Sequence, residues 1–392
     1  MPIAGVDEHT RTRATPTYMP ITKEIETNSQ SEWRLSRCPV CGSEEITYAF
    51  RIVERRSDEC SSCGLLFLNP QPTDAELQEI YSEGYLLGER DERLRDRVPG
   101  MRRAGAAILL RSAMEYLGIR DGRGKSLIDM GCGAGFLLEE AESLGFAVTG
   151  IDVSQELVER AASRLKKGTV HQGSVLDLDI PEQTFDVCVL SDVIEHMRNP
   201  AEALAKARNV LKQGGVAVVA TPSLDSFTAR VMQDRWMELK LEHLFYFRPA
   251  NLQQLIYRSG FSCIRMHPHE KVLDLEYIRS HFERFPGNSV VGWAIRTCGN
   301  LVPRFLRERP ITLGGSGMVA LAARDDRQSA ALRTVSVIVP VYNEVATFPN
   351  LIKQLTRKTI PGMDMEIVIV ESNSTDGTRE QVLQLQGQPG IK

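Results

Sequence analysis

Two stretches concentrate the residues whose types and spacing could do chemistry. The first, CPVCGSEEITYAFRIVERRSDECSSCG, carries Cys38 and Cys41 as one C-x2-C pair and Cys60 and Cys63 as a second, with 18 residues between the pairs. Each pair can aim two thiolates at one point, and Gly42 and Gly64 permit the tight backbone that follows. Four thiolates form a closed tetrahedral Zn2+ site with no open position for a substrate. The intervening ITYAFRI alternates enough to be a strand. Residues 36–70 therefore read as a structural zinc ribbon, stabilised by metal because it is too small to build its own core. The other four of the eight cysteines stand singly. That usage fits a reducing compartment rather than a disulfide framework, and the cytoplasm is the expected location.

The second stretch is KSLIDMGCGAGFLLEEAESLGFAVTGIDVS. Ser126 to Met130 is a short apolar strand, and Gly131, Gly133 and Gly135 form a G-x-G-x-G turn into a helix. AVTGID is a second strand that ends in Asp152. Glycines let backbone approach a ligand, and a carboxylate at the end of the second strand can bond both hydroxyls of a ribose. The dinucleotide pattern needs a small residue at its sixth position, where this chain has Phe136. Asp129, two residues before the first glycine, would repel a pyrophosphate but suits a ligand carrying an ammonium and a sulfonium.

These residues closely resemble motif I of the class I S-adenosylmethionine-dependent methyltransferases. The resemblance implies that the glycine loop, with Asp129, Gly131, Gly133 and Gly135, cradles the methionine part of the cofactor. It implies that Asp152, followed by Val153, holds the ribose. Further on, TVHQGSVLDLDIPEQTFDVCVLSDVIEHMRNPAEALAKARNVLKQGGVAVVATPS supplies a third strand, a fourth (Phe185 to Leu190), a helix and a fifth (Val216 to Ala220) in the family's order. Asn199 caps that helix, Pro200 takes its first position, and Gly214 is expected just past its end. Ser174 and Val175 match the position that frames the adenine, and Ser191 stands at the mouth of the site. FRPANLQQLIYRSGF and ITLGGSGMVALAAR then read as a helix, a sixth strand and a final strand. The expectation is an α/β fold: a Rossmann-like seven-stranded methyltransferase sheet over 121–325, behind the zinc ribbon and a helical linker over 71–120. Methyltransferases of sugar and polysaccharide biosynthesis often carry such a cysteine module in front.

Methyl transfer asks the enzyme for position and, where the acceptor must lose a proton, for a base. His196 in SDVIEHM follows the fourth strand. It is either a loop-ordering residue or a base, and Glu195 beside it is an alternative metal ligand. His243 in WMELKLEHLFYF is either a core histidine or an acceptor-side base, the role that a similar segment of related methyltransferases implies. His267 and His269 lie two apart at the expected end of strand six, with no carboxylate pair to complete a metal site. The insert from Lys271 to Pro310 reads as helices broken at Pro286-Gly287. Core packing is its plainest role; a substrate lid, a homodimer contact or a membrane-surface contact through Arg296, Arg304, Arg307 and Arg309 are the others.

The elements that must position these groups sit in an ordinary globular chain of 392 residues, with 42% hydrophobic and 25% charged residues and a net charge of -4. That balance gives no case for nucleic acid, and no apolar run is long enough for a transmembrane helix. Residues 1–35 read as a disordered arm. The run GERDERLRDR reads as a solvated helix face. After a polar linker, TVSVIVPVYNE and MEIVIVESNSTDGT resemble the opening of family-2-type glycosyltransferases, with Pro340, Tyr342, Asn343, Glu344 and Ser374 to Thr378 matching. Glu371 and Ser372 replace that family's paired aspartates, and no metal motif follows. Residues 334–392 are thus expected to be an incomplete α/β fragment of such a domain. The leading reading is S-adenosylmethionine-dependent methyl transfer to a small-molecule or sugar-containing acceptor. The alternatives are a glycosyltransferase fusion and a cofactor-binding scaffold.

Overall fold

The computed structural model describes residues 33–84, 94–177, 179–284, 302–325, 334–356, 358, 364–388 and 390–392. The arm at 1–32, the first part of the charge run, the expected break at Pro286-Gly287, Arg296 and the polar linker at 326–333 lie outside the described residues. Among the described residues no helix is long and apolar enough to cross a membrane.

The cysteine module folds as strands β1 (Ile46–Ile52), β2 (Arg55–Cys60) and β3 (Leu66–Leu68). Helix α1 (Asp74–Gly84) follows. It starts at a capping box in which the Thr73 backbone N–H donates to Glu76 and the Glu76 N–H donates to the Thr73 hydroxyl. Helix α2 spans Val98–Leu117, with proline in its first turn. The end of the charge run departs from the sequence expectation. Arg97 precedes α2 rather than lying on a helix face, and its guanidinium pairs with the buried Asp274 carboxylate at 2.5 Å. A buried charge needs a partner, so this residue is taken out of the solvated pattern.

The main sheet is built from β4 (Ser126–Met130), β5 (Ala147–Asp152), β6 (Thr169–Gln172), β7 (Phe185–Ser191), β8 (Leu211–Pro222), β10 (Ser262–Leu273) and β11 (Ile311–Ala323). Its strand order is β10-β11-β8-β7-β4-β5-β6. The five strands β4 to β8 run parallel, while β11 pairs antiparallel with both β8 and β10. Successive residues of the central strands enter different cores: Ile128, Cys188, Leu190, Ala217 and Val219 on one side, Leu127, Val187, Val189, Val216 and Val218 on the other. Burial on both faces explains why these strands read as continuous apolar runs.

The crossover helices are α3 (Phe136–Ser143), α4 (Gln155–Arg164), α5 (Pro200–Val210) and, after β9 (Phe245–Tyr246), α6 (Pro249–Arg258). Asn199 accepts from the Glu202 N–H to cap α5. Helix α5 stops at Val210, earlier than Gly214 suggested. β8 begins at Leu211, and Gly214 is taken into its start, donating to the Arg324 carbonyl at 2.7 Å. β10 likewise runs on to Leu273, so Lys271 to Leu273 pair with β11 instead of opening a helix.

The sheet order explains what positions the site. β4 leads to β5 on one side, and the chain then returns to β7 on the other. The reversal between β4 and β7 opens a crevice beyond their carboxyl ends, where ligands bind in open parallel sheets. A second sheet, β1-β2-β3-β9, joins the cysteine module to the segment just after His243. Residues 334–392 form a separate two-stranded parallel sheet, β12 (Thr334–Val341) and β13 (Asp364–Glu371), with helices α7 (Phe348–Thr356) and α8 (Thr378–Leu383).

Candidate active site

The glycine turn sits at the β4/β5 end of the crevice. Gly131, Gly133 and Gly135 all have positive φ, at 88°, 52° and 82°. Two of them are required by close approach as well as by backbone. A Cβ on Gly131 would come within 2.5 Å of a Val193 methyl, and one on Gly135 within 2.7 Å of the Ala161 Cβ. The Gly131 contact also places the segment after β7 directly over the turn. At Gly133 a Cβ would meet nothing within 4 Å, so this glycine leaves open space at the loop.

Asp152 ends β5 with its carboxylate oriented by two backbone donors. Oδ2 accepts from Gly133 N–H at 2.8 Å and Oδ1 from Ser154 N–H at 2.9 Å. Asp129 lies on β4, opposite Gly150 in register, and is 3% exposed. Burial, and then the nearby Asp152 charge, push its carboxyl up to about 7. A buried carboxylate beside another is costly unless a cation joins it. The pair thus fits the ammonium-bearing, sulfonium-bearing cofactor, and would disfavour a pyrophosphate. Gly173 N–H donates to the Asp152 carbonyl, which brings the Ser174-Val175 turn to the same end of the sheet. Val175 is buried, Val153 is exposed, and Ser191 closes β7 beside β4.

Beyond β7, His196 and His243 come together from positions far apart in sequence. Their rings meet edge to face at 4.8 Å between centroids. His196 Nδ1 lies 2.8 Å from the Glu242 carbonyl, and His243 Nδ1 lies 2.8 Å from the Glu238 carbonyl. A carbonyl only accepts, so Nδ1 carries the proton in each ring. Burial holds both imidazoles below their ordinary range, His196 at about 4. Both are therefore neutral near pH 7, with Nε2 as the unprotonated nitrogen. Glu195 is 1% exposed, with the Thr221 side chain beside its carboxylate. Burial and the Asp192 charge raise its carboxyl to about 8. Glu195, His196 and His243 each offer one ligand atom within 4.8 Å of the others. Among the described residues this and the four cysteines are the two groups with metal-ligand spacing, and His267 and His269 join neither. His269 is not at a strand end but within β10, opposite Gly317.

Sequence reasoning missed the charged residues that surround the two histidines. Asp192 follows β7 with φ 53°, an uncommon conformation for a residue with a side chain. Lys271 lies 3.8 Å from Asp192 and 3.4 Å from Glu238, and Lys240 lies 3.2 Å from Glu238. Burial opposes ionisation of Glu238, but Lys271 and Lys240 outweigh it and hold the carboxyl well below its usual range. The sequence signals available were Asp192, inside SDVIEHM, and the charges that precede His243 in its own segment. Glu238 and Lys240 stand in WMELKLEHLFYF beside His243, and Lys271 comes from β10.

The four cysteine sulfurs lie within 4.8 Å of one another, with Cys38–Cys63 and Cys41–Cys60 Sγ pairs each at 3.5 Å. A tetrahedral Zn2+ with Zn–S of ~2.3 Å sets its sulfurs ~3.8 Å apart, so the donor set fits that ion. In residues 334–392 the two matched motifs meet. Asn343 accepts from Thr375 N–H at 2.9 Å, and Glu344 N–H donates to the Thr378 hydroxyl at 2.8 Å.

Two family models match the chain. Residues 101–265 match a family described as a methyltransferase domain, and residues 336–392 match glycosyl transferase family 2. The chain is 40% identical over 111 residues to a 37.1 kDa protein of a Streptomyces fradiae transposon, covering 27% of this chain and 32% of that one. It is 38% identical over 109 residues to a ubiquinone biosynthesis O-methyltransferase of Caulobacter vibrioides, covering 25% and 41%. A SAM-dependent methyltransferase structure from Archaeoglobus fulgidus is similar at 18% identity and TM-score 0.41, covering 62% of this chain and 100% of that one. The chain thus spans under half the length of these two curated relatives. The strand order, the glycine turn with its two carboxylates, and the matched domain agree: the chain carries a class I S-adenosylmethionine-dependent methyltransferase domain, followed by a segment of a family 2 glycosyl transferase domain.

Proposed function

We propose that this protein transfers a methyl group to a small-molecule or glycan-precursor acceptor in sugar or polysaccharide biosynthesis. The observation that carries the reading is the glycine turn closed by two buried carboxylates, Asp129 and Asp152, at the reversal of the sheet. S-adenosylmethionine supplies, when bound, an electrophilic methyl on a sulfonium. Asp129 would pair with its ammonium. Asp152, already aimed by two backbone donors, would take the ribose hydroxyls. Gly131, Gly133 and Gly135 keep the turn close, while Val153, Ser174, Val175 and Ser191 line the remaining edge.

His243 and His196 are the proposed acceptor-side groups. A neutral Nε2 can take the proton that the acceptor loses as it attacks the methyl carbon. Asp192 and Glu238 favour the charge so formed, since both carboxylates act to raise the His196 and His243 pKa values. Relatives named as O-methyltransferases favour an oxygen nucleophile, and the glycosyl transferase segment favours a sugar-containing acceptor. The cysteine centre is proposed to hold Zn2+ in a structural role.

The test is a titration with S-adenosylmethionine, then incubation with labelled cofactor and a panel of nucleotide sugars and glycans. Binding, with label on one sugar class, is expected. Asp152→Ala should abolish binding, and His243→Gln should bind cofactor but transfer at least ~100-fold more slowly. A chain that binds no cofactor would sink the reading.

A further inference from the structure

The cysteine module is built into the segment that carries His243. β3 pairs antiparallel with β9, Leu66 opposite Tyr246 and Phe67 opposite Phe245. Leu68 N–H donates to the Leu244 carbonyl at 3.0 Å, and Leu244 N–H donates to the Glu195 carbonyl at 2.9 Å. The Leu244 peptide groups therefore tie ribbon strand β3 to the turn holding Glu195 and His196, and His243 is the residue immediately before them. Cys38, Cys60, Leu65 and Phe67 share one apolar core with Phe245, Phe247 and Leu252.

Helix α6, just after this segment, binds both knuckles through backbone carbonyls. Arg258 donates to Val40, between the first two cysteines. Asn251 Nδ2 donates to Cys63 at 3.4 Å, and Arg248 Nε donates to Gly64 at 3.2 Å. The two knuckles thus present a joint surface to one helix. Without a metal, the sulfurs of the two knuckles meet only through weak thiol contacts, Cys38–Cys63 and Cys41–Cys60 at 3.5 Å, beside hydrogen bonds from Ser61 N–H to the Glu45 carbonyl and from Ser62 to Ser43; four Zn–S bonds would hold that surface in register far more firmly.

We propose that the four-cysteine centre is a positioning device for the acceptor-side histidine. Metal at Cys38, Cys41, Cys60 and Cys63 fixes the pairing of β3 with β9, and that pairing holds His243 against Glu195 and His196. The cysteines touch no reacting atom and act through Leu244 to Phe247. The inference rests on the reading of His243 given above only for its catalytic consequence.

Amide hydrogen exchange on the full chain tests it, with zinc bound and after removal by a strong chelator, metal content being measured in each sample. On metal loss, exchange at Leu68 and Leu244 to Phe247 should quicken about tenfold or more, while Leu127–Met130 and Val187–Leu190 change less than about twofold. Cofactor affinity should hold within about threefold while methyl transfer is lost. Cys63→Ser should reproduce the metal-free pattern. Cys63→His, which keeps a zinc ligand there, should restore metal and protection. Unchanged protection at Leu244 to Phe247 after metal loss would overturn the proposal, as would equal loss across β4 and β7, which would mean the metal merely supports the whole fold. The exchange is read without cofactor or acceptor. A loaded chain that binds no S-adenosylmethionine would overturn the functional reading and leave this one standing.

Discussion

Among the described residues the molecule holds two parallel-strand units covered to very different extents. In the seven-stranded sheet, β7 is sealed on both faces: Val187, Cys188, Val189 and Leu190 are each at most 1% exposed. In the two-stranded sheet of residues 334–392, Val339 and Val341 are buried on Phe348 and Ile352, yet Ile338 is 67% exposed and Val370 46%. The same sequence signal, a continuous run of β-branched residues, marks both. What differs, among the described residues, is how much of each sheet is covered. A parallel sheet is stable when both faces are covered, so equal motifs need not mean equal stability.

The comparison can be broken most strongly by core truncation. Leu190→Ala should cost about 2–5 kcal/mol in a denaturant titration, whereas Ile338→Ser should stay within about 0.5 kcal/mol. Equal costs would show that the second sheet is covered in solution. Next come two glycines with positive φ. Gly135→Ala forces a Cβ to within 2.7 Å of Ala161 and should both destabilise the domain and abolish cofactor binding. Gly377→Ala, whose nearest neighbour is a Val345 methyl at 3.5 Å, should cost only the backbone strain of about 1 kcal/mol, read by thermal melting.

A smaller effect is the opposite titration of the two regions. Asp129, raised to about 7 by burial and then by Asp152, keeps its proton longer in the folded state than in the unfolded one. Its stabilising contribution is therefore lost as pH rises from the ordinary carboxylate range through 7. A cationic cofactor reverses that cost, so affinity should rise between pH 6 and 7 by up to about tenfold, then level. Asp129→Asn should flatten this profile in calorimetry. Asp376 is lowered instead, by its hydrogen bond with Thr378, so its contribution is lost as pH falls below the ordinary carboxylate range. Smallest of all, Lys392→Ala, which removes the exposed pair with Glu366, should leave the melting temperature unchanged.

Much of the sheet was legible because its signals are local. Gly131 to Gly135, the Asp129 and Asp152 carboxylates and the Asn199-Pro200 cap each depend on residues within a few positions of one another. The cysteine pairs were legible for the same reason. What stayed hidden depends on distant partners. Arg97 looks solvent-facing until Asp274 is placed beside it. Lys271 on β10 reaches Asp192 after β7 and Glu238 beside His243 from a distant position, and no spacing rule joins the three. Helix α5 ended early because the Arg324 carbonyl, remote in sequence, takes the Gly214 N–H into the sheet.

The β3–β9 pairing has a consequence for synthesis. Phe67 meets its strand partner only at Phe245, so the edge of the cysteine module waits, unpaired and apolar, while most of the methyltransferase domain emerges from the ribosome. Such long-range closure is slow, and an open edge invites pairing with other chains. Early metal uptake would not shorten that wait, but it would order the short ribbon first, so that β9 meets a preformed template on which to land.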